Sequence, residues 1–198
     1  VLTGFKFIGE KIDLFHRTGA HTFLFGYEES YGYLAGTHAK DKDAVVSTML
    51  FAEMVCYYKS IGVSLYARLQ EIYASLGYYA EQTISVYFKG LDGMAMMKEK
   101  TRDLRKVNIT EIAGYKVVST VDFLAGERTD ISGKKEKIDF PKSDVMKYFL
   151  EGGDWVAIRP SGTEPKLKLY VSASSKEGID GAKSKAAALL DYMKGYVE

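Results

Sequence analysis

The sequence predicts a mixed α/β unit followed by a smaller α+β unit. In the first hundred residues, a short apolar run precedes two segments in which apolar residues recur every three or four positions, as they do in helices. In the second half, segments of alternating apolar and polar residues are followed by one amphipathic helix. Strands covered by a later helix are typical of an antiparallel α+β layer and not of a parallel βαβ domain.

The composition is that of an ordinary folded, water-soluble protein. Of the 198 residues, 46% are hydrophobic and 27% are charged, which argues against intrinsic disorder and against membrane spanning. The length suits one domain or two small ones. Because 27 Lys and Arg nearly balance 26 Asp and Glu, the net charge of +1 predicts neither nucleic acid nor a membrane surface as the main partner.

Two absences in the sequence predict a cytoplasmic protein. No apolar run approaches the roughly 18 residues of a membrane-spanning helix, and charged residues interrupt any signal-peptide pattern in residues 1–12. The start at Val1, without an initiator Met, suggests a cut from a longer sequence. The single cysteine, Cys56, cannot form an intrachain disulfide, and we expect it to lie buried on a helix face.

Local patterns predict the elements of the first half. The apolar run at residues 23–25, closed by Gly26, predicts a buried strand that enters a loop reaching to about Lys42. A helix is expected from Asp43, and a second one after Ser64, which is a suitable N-cap.

A strand at residues 84–88 and a helix at residues 94–106 follow in the predicted order. The second half then has strand patterns within 109–121, 155–158 and 166–172, a polar stretch at 129–137, and a final helix from Lys176. A change of pattern places the domain boundary near Lys106, so that the expected domains are residues 1–106 and 107–198.

The segment RPSGTEPK, which starts at Arg159, concentrates the groups that a phosphate needs. Arg159 supplies a guanidinium that donates to two oxygens, Ser161 and Thr163 supply hydroxyls, and Gly162 lets backbone N–H groups turn toward an anion. Ordinary polar hairpin turns use the same residue types. The segment alone leaves both readings open.

A second segment, GYEESYG, follows the predicted strand at residues 23–25. Glu28 or Glu29 and Ser30 can hydrogen-bond to sugar hydroxyls, and the neighbouring tyrosines offer an aromatic face. An exposed acidic turn is the alternative, because surface carboxylates are usually only solvated. A glycosidase pair is also conceivable, but it requires a measured separation between the two carboxylates.

A third segment, HAKDKD, precedes the first long helix. His38 and Lys42 can bring positive charge to an anionic ligand, although a solvated helix start explains the same residues. The three histidines have no metal-ligand spacing with cysteine or carboxylates, so we expect no metal site in this chain.

In this order, the motifs resemble the last two domains of the α-D-phosphohexomutase superfamily, which contains phosphoglucomutases and phosphomannomutases. The resemblance spans nearly the whole chain and rests on residues 3–9 (TGFKFIG), 26–30 (GYEES), 42–43 (KD) and 159–165 (RPSGTEP). The second and fourth motifs are specific to the family, and the other two support them. Tyr27 is a departure, since many members have Gly directly before the Glu, and it leaves the sugar preference open.

The resemblance implies a fold and a place within a longer enzyme. Such enzymes have four domains, of which the third is α/β and the fourth is an antiparallel sheet with helices. Residues 1–106 would then be a third domain that lacks its opening strand and helix and carries the sugar-binding loop. Residues 107–198 would be the fourth domain with the phosphate-binding loop, and the N-terminal domains of the same enzyme would be partners.

The resemblance also implies an activity, namely the interconversion of hexose 1-phosphates and 6-phosphates by intramolecular phosphoryl transfer, an isomerase reaction. It would use a phosphoserine, Mg²⁺ and a glucose 1,6-bisphosphate-type intermediate. The serine and the Mg²⁺ ligands would lie upstream of Val1, so this chain alone is expected to be inactive. The implied substrate-binding residues are Lys6, Glu28, Ser30, His38, Lys42, Arg159, Ser161, Gly162 and Thr163.

Two alternatives come from other functional classes. A non-catalytic sugar-phosphate-binding module would keep the same residues without the chemistry. A glycosidase fragment would use Glu28 and Glu29 instead.

Overall fold

The computed structural model describes residues 1–28 and 30–197, and it divides into two compact units, Val1–Gln70 and Glu71–Glu198. The described residues form five helices, a two-stranded hairpin and an eight-stranded antiparallel sheet. The predicted class, an α/β unit followed by an α+β unit, is confirmed. The domain boundary near Lys106 stays a prediction.

The first unit is built on a hairpin packed against one helix. Its elements are α1 (Phe5–Thr18), β1 (Phe25–Glu28), β2 (Gly32–Ala35), α2 (Ala44–Ser60) and the start of α3 (Leu65–Leu76), in which the division falls. Phe5 and Ile12 of α1 form a small core with Leu34 of β2. A side chain at Gly26 would come within 2.8 Å of Ile8 Cγ2, so this glycine lets α1 approach the hairpin closely.

The expectation of a buried strand at residues 23–25 was wrong. The strand starts only at Phe25, and Leu24 and Phe25 are 75% and 52% exposed. The physical reason is that the hairpin covers one face only: Gly26 and Leu34 pair on the buried face, whereas Phe25 stacks on Tyr33 on the outer face. The loop expected up to Lys42 also contains β2.

Both predicted helices of the first half are present, and their caps explain their starts. The Asp43 carboxylate accepts a hydrogen bond from Val46 N at the start of α2, and Ser64 Oγ accepts one from Ala67 N at the start of α3. The expectation that Cys56 is buried was wrong, because it is exposed. The apolar residues of α2 are spread around the whole helix and do not form one face. None of the residues of α2 is buried.

The second unit is a sheet in the order β3-β10-β9-β8-β5-β6-β7, with β4 paired to β5. Its elements are β3 (Tyr78–Tyr87), α4 (Gly93–Leu104), β4 (Glu111–Ile112), β5 (Tyr115–Asp122), β6 (Glu127–Asp130), β7 (Lys135–Lys137), β8 (Met146–Leu150), a 3₁₀ turn (Glu151–Gly153), β9 (Trp155–Pro160), β10 (Lys166–Ser175) and α5 (Ile179–Val197). All pairings are antiparallel. None of the helices in the described ranges is long and apolar enough to span a membrane.

Alternation along β10 separates the core from the opposite face of the sheet. Leu167, Leu169 and Val171 are buried in one core with α5, whereas Lys168 and Tyr170 lie on the other face. The polar stretch at residues 129–137, which the sequence did not predict as strand, contributes to β6 and β7.

A buried ion pair fixes α5 to the sheet. Asp154 is 2% exposed, it pairs with Lys185 of α5, and it accepts hydrogen bonds from Ser174 N at 2.7 Å and from Ser174 Oγ at 2.9 Å. Asp154 directly precedes β9, so the ion pair lies at the end of β9 opposite to its turn with β10.

Candidate functional site

In the first unit, the candidate residues gather at the hairpin. Glu28 ends β1 directly opposite Gly32, and its half-buried side chain is 16% exposed. Ser30 lies in the turn and is exposed. Tyr31, which follows it, has a φ of 62°, a conformation that is uncommon for a bulky residue. Glu29 lies outside the described residues.

Lys42 reaches from the far side of the loop to the end of β1. Its Nζ lies 3.6 Å from Glu28 Oε1 and 2.9 Å from Asp41 Oδ1, and it lies 5.4 Å from the centroid of the Phe5 ring. The hydrogen bond to Asp41, together with the charge of Glu28, raises the pKa of Lys42 above its usual value. The structure therefore brings Glu28 and Lys42 together as one ion pair.

His38 is brought to the start of α2. Its Nε2 lies 2.9 Å from Oδ2 of Asp43, whose other oxygen caps the helix. The contact with His38 and the backbone donor Val46 N hold the pKa of Asp43 below its usual range. One carboxylate therefore serves both the imidazole and the helix end.

Lys6 is on the exposed side of α1. Its Nζ lies 4.9 Å from the centroid of the Phe7 ring. Among residues 1–28 and 30–197, Lys6 forms no hydrogen bond or ion pair with Glu28, His38 or Lys42.

In the second unit, the predicted phosphate segment forms the turn between β9 and β10. Ser161 Oγ accepts hydrogen bonds from Thr163 N at 3.4 Å and Glu164 N at 3.2 Å, so the serine orders the turn from inside. Ser161 N donates to Lys166 O at 2.9 Å and closes the hairpin. Gly162 faces open space, since nothing lies within 4 Å of the position of an added Cβ.

A neighbouring segment holds this turn in place. Phe88 N donates to Pro165 O at 2.8 Å. A Cβ added to Gly93, the first residue of α4, would lie 2.3 Å from Phe88 O and 3.1 Å from Pro165 Cβ. Sequence reasoning missed both Phe88 and Gly93 as supports, although a glycine at a helix start is a signal of close packing.

Two positive charges face each other at the base of the turn. Lys168 of β10 lies directly opposite Arg159 of β9, on the face turned away from the core. Within residues 1–28 and 30–197, neither side chain has an ion pair or a hydrogen bond. Like charges in a cross-strand pair are destabilising, so this pair favours an anion as its third member. Sequence reasoning treated Lys168 only as a strand residue.

Lys166 differs from these two cations because it is neutralised. Its Nζ lies 2.5 Å from Glu164 Oε2, and this hydrogen bond raises the pKa of Lys166. Among the described residues at the turn, the positive charges without a carboxylate partner are therefore those of Arg159 and Lys168.

The described residues contain no group of three or more His, Cys, Asp or Glu side chains that could hold a metal ion.

Comparisons with known proteins match two family domains to this chain. Residues 1–76 match the family described as phosphoglucomutase/phosphomannomutase, alpha/beta/alpha domain III, and residues 96–189 match the C-terminal domain of the same family. A phosphoglucomutase of Staphylococcus epidermidis is 40% identical over 176 residues, which are 88% of this chain and 32% of that protein.

Two other relatives have a similar identity to this chain and a similar coverage. A phosphoglucomutase of Staphylococcus haemolyticus is 34% identical over 100% of this chain and 35% of its own length. One from Staphylococcus aureus is 36% identical over 92% of this chain and 33% of its own length. The chain thus spans about a third of the length of the curated relatives it matches. With two successive domains matched and this identity across the chain, it belongs to the phosphoglucomutase/phosphomannomutase family.

Proposed function

We propose that this chain forms the substrate-binding part of a phosphohexomutase, an isomerase that interconverts hexose 1-phosphates and 6-phosphates by intramolecular phosphoryl transfer. The observation that carries the proposal is the facing pair of Arg159 and Lys168, which lies beside a turn rich in hydroxyl and N–H donors. Among residues 1–28 and 30–197, neither of these two cations has an ion-pair partner. The name phosphoglucomutase carried by the relatives agrees with this activity.

The β9–β10 turn would hold the phosphate that is not reacting. Arg159 would donate to two phosphate oxygens, with the Ser161 and Thr163 hydroxyls and the Gly162 N–H as further donors. Lys168 would add charge from the next strand. Since these groups would contact only the phosphate, the same turn would suit a substrate that presents its phosphate from either end of the sugar.

The hairpin of the first unit would bind the sugar. Glu28 and Ser30 would accept and donate hydrogen bonds to the sugar hydroxyls. Lys42 fixes the carboxylate of Glu28 and, with His38 and Lys6, would bring positive charge toward the substrate phosphate. Sugar hydroxyls both donate and accept hydrogen bonds, which suits the carboxylate of Glu28 and the hydroxyl of Ser30.

The reacting groups are proposed to lie outside this chain. A phosphoserine would give its phosphoryl group to the hexose phosphate and would receive the other phosphate of the resulting bisphosphate. Mg²⁺ would offset the charge on the group in transfer. Residues 1–28 and 30–197 contain no group of three or more His, Cys, Asp or Glu side chains that fits such an ion. As the family resemblance implies, its ligands would come from the N-terminal domains of the same cytoplasmic enzyme.

The test is an assay of the full-length protein against hexose 1-phosphates, with 6-phosphate product as the readout. We expect turnover, and we expect Arg159→Ala to lower kcat/KM by about 100-fold, since a lost charged phosphate contact costs a few kcal/mol. Binding without turnover would instead favour a non-catalytic sugar-phosphate-binding module. Full activity of the Arg159→Ala variant would contradict the proposed role of the turn.

A further inference from the structure

Gly32 occupies the point at which Lys42 crosses the hairpin. A Cβ added at Gly32 would lie 2.1 Å from Lys42 Cδ and 2.8 Å from Lys42 Cγ. It would also lie 2.8 Å from Glu28 Oε1. The volume that any other side chain would fill is therefore taken by the stem of Lys42 and the carboxylate of Glu28.

The glycine is not needed for the backbone here. Gly32 is absent from the glycines with positive φ, and it lies in a regular strand. The three nearest atoms to an added Cβ all belong to side chains and none to the backbone. An alanine would therefore meet two polar side chains and would leave the hairpin ladder in place.

The path over Gly32 brings Lys42 to a second carboxylate. Asp41, its sequence neighbour, binds Lys42 Nζ at 2.9 Å and is itself exposed. With its stem over Gly32, the same Nζ also comes within 3.6 Å of Glu28 Oε1. In the described part of the chain, no hydrogen bond or ion pair involves Oε2 of Glu28, so this oxygen can still accept a hydrogen bond from a ligand.

We propose that Gly32 is a positioning residue for sugar recognition, because it admits Lys42 to Glu28 and thereby sets the direction in which the free carboxylate oxygen accepts a sugar hydroxyl. This inference rests on the proposed function, in which Glu28 binds the sugar. A carboxylate with a fixed direction distinguishes the two epimers of one hydroxyl, because the wrong epimer leaves a polar group unpaired. Gly32 then determines specificity without touching the sugar.

The experiment is an NMR titration of the 198-residue chain with glucose 1-phosphate, mannose 1-phosphate and inorganic phosphate. In the unaltered chain we expect both hexose phosphates to shift the signals around residue 28, and one epimer to bind more tightly. In Gly32→Ala we expect the tighter epimer to bind about fivefold more weakly, the size of a partly exposed ion pair, and the preference to be lost. Binding of inorganic phosphate should be unchanged.

Two further measurements separate positioning from a general structural effect. The pKa of Lys42, followed by NMR, should fall in Gly32→Ala, because Glu28 no longer contributes while Asp41 remains. In a Lys42→Met background, Gly32→Ala should have no additional effect on epimer preference. Gly195→Ala is the matched control, since nothing lies within 4 Å of its added Cβ, and it should bind as the unaltered chain does.

The possible failures are distinguishable. If Gly32→Ala keeps both its epimer preference and the pKa of Lys42, the inference is overturned and the role of Glu28 stands. The inference is also overturned if Gly32→Ala still lowers the epimer preference in the Lys42→Met background. If neither hexose phosphate affects the signals around residue 28 in the unaltered chain, the proposed sugar-binding role fails, and the inference fails with it.

Discussion

Lys168 lies directly across the β9–β10 ladder from Arg159, so that two cations share one face of the sheet at the base of the same turn. The neighbouring cation, Lys166, has its own partner in Glu164. A folded sheet tolerates such a pair at some cost in stability, and the cost is understandable if an anion binds between them.

The first prediction concerns Lys168→Met, which keeps a long apolar stem and removes one charge. We expect the free energy of unfolding to rise by about 0.2–1 kcal/mol, because the like-charge repulsion across the strands disappears. The affinity for inorganic phosphate should fall in the same variant. Urea unfolding and a phosphate titration check the two effects, and a variant that loses stability while binding phosphate normally would contradict the argument.

A second prediction uses the open space around Gly162. An added methyl group meets no atom of the turn within 4 Å, so Gly162→Ala should unfold at nearly the same urea concentration as the unaltered chain. A phosphate held by the Gly162 N–H would be crowded by that methyl group, and we expect its affinity to fall by about tenfold, or roughly 1.4 kcal/mol. Unchanged phosphate affinity would show that the ligand does not approach Gly162.

Gly93→Ala should behave in the opposite way, because its added Cβ would meet backbone. The clash with Phe88 O at 2.3 Å requires a shift of the chain that also holds Pro165, and we expect a loss of about 1–3 kcal/mol in the free energy of unfolding. Gly195→Ala, a change in an open position within α5, should instead be neutral or stabilising. Thermal unfolding of the two variants side by side provides the comparison; equal midpoints would show that the contact at Gly93 is not tight.

Tyr148 gives a prediction that depends on pH. It is 1% exposed, its hydroxyl has no hydrogen-bond partner within the described residues, and burial raises its pKa above the usual 10.0. Below pH 10 the phenol is neutral in both folded and unfolded chains. Above pH 10 the unfolded chain loses the proton first, so stability falls as the pH rises toward the higher pKa of the folded state.

The Tyr148→Phe variant removes both the unpaired hydroxyl and its titration. We expect about 1 kcal/mol more stability at pH 7 and a shallower loss of stability above pH 10. The measurement is urea unfolding of both proteins at pH 7 and at a pH above 10. A parallel decline of the two proteins above pH 10 would mean that Tyr148 does not contribute to the alkaline loss.

The parts of the fold that the sequence predicted are those set by local signals. The helix start at Asp43, the cap Ser64 and the alternation in β10 each depend on residues close together in the chain, and they were predicted correctly. The β6–β7 hairpin was missed because its strands are polar, with ion pairs such as Lys135 to Glu127 in place of apolar alternation.

Burial and cross-strand neighbours could not be predicted in the same way. Cys56 was expected to be buried because its helix is apolar, yet burial depends on what packs against the helix. At the candidate site, motifs indicated Arg159 and Glu28. The roles of Lys168 and Gly32 follow from the strand register, which places Lys168 opposite Arg159 and Gly32 opposite Glu28. Register joins residues that are distant in sequence, so the motif of one strand does not reveal its partner.

The most direct measurement is a titration of the ¹⁵N-labelled chain with inorganic phosphate, which follows the backbone amides of residues 161–164. We expect saturable shifts at these amides, with an affinity that high salt weakens and that Arg159→Ala lowers about 100-fold. If these amides do not respond, or respond equally in Arg159→Ala, the turn between β9 and β10 does not hold a phosphate.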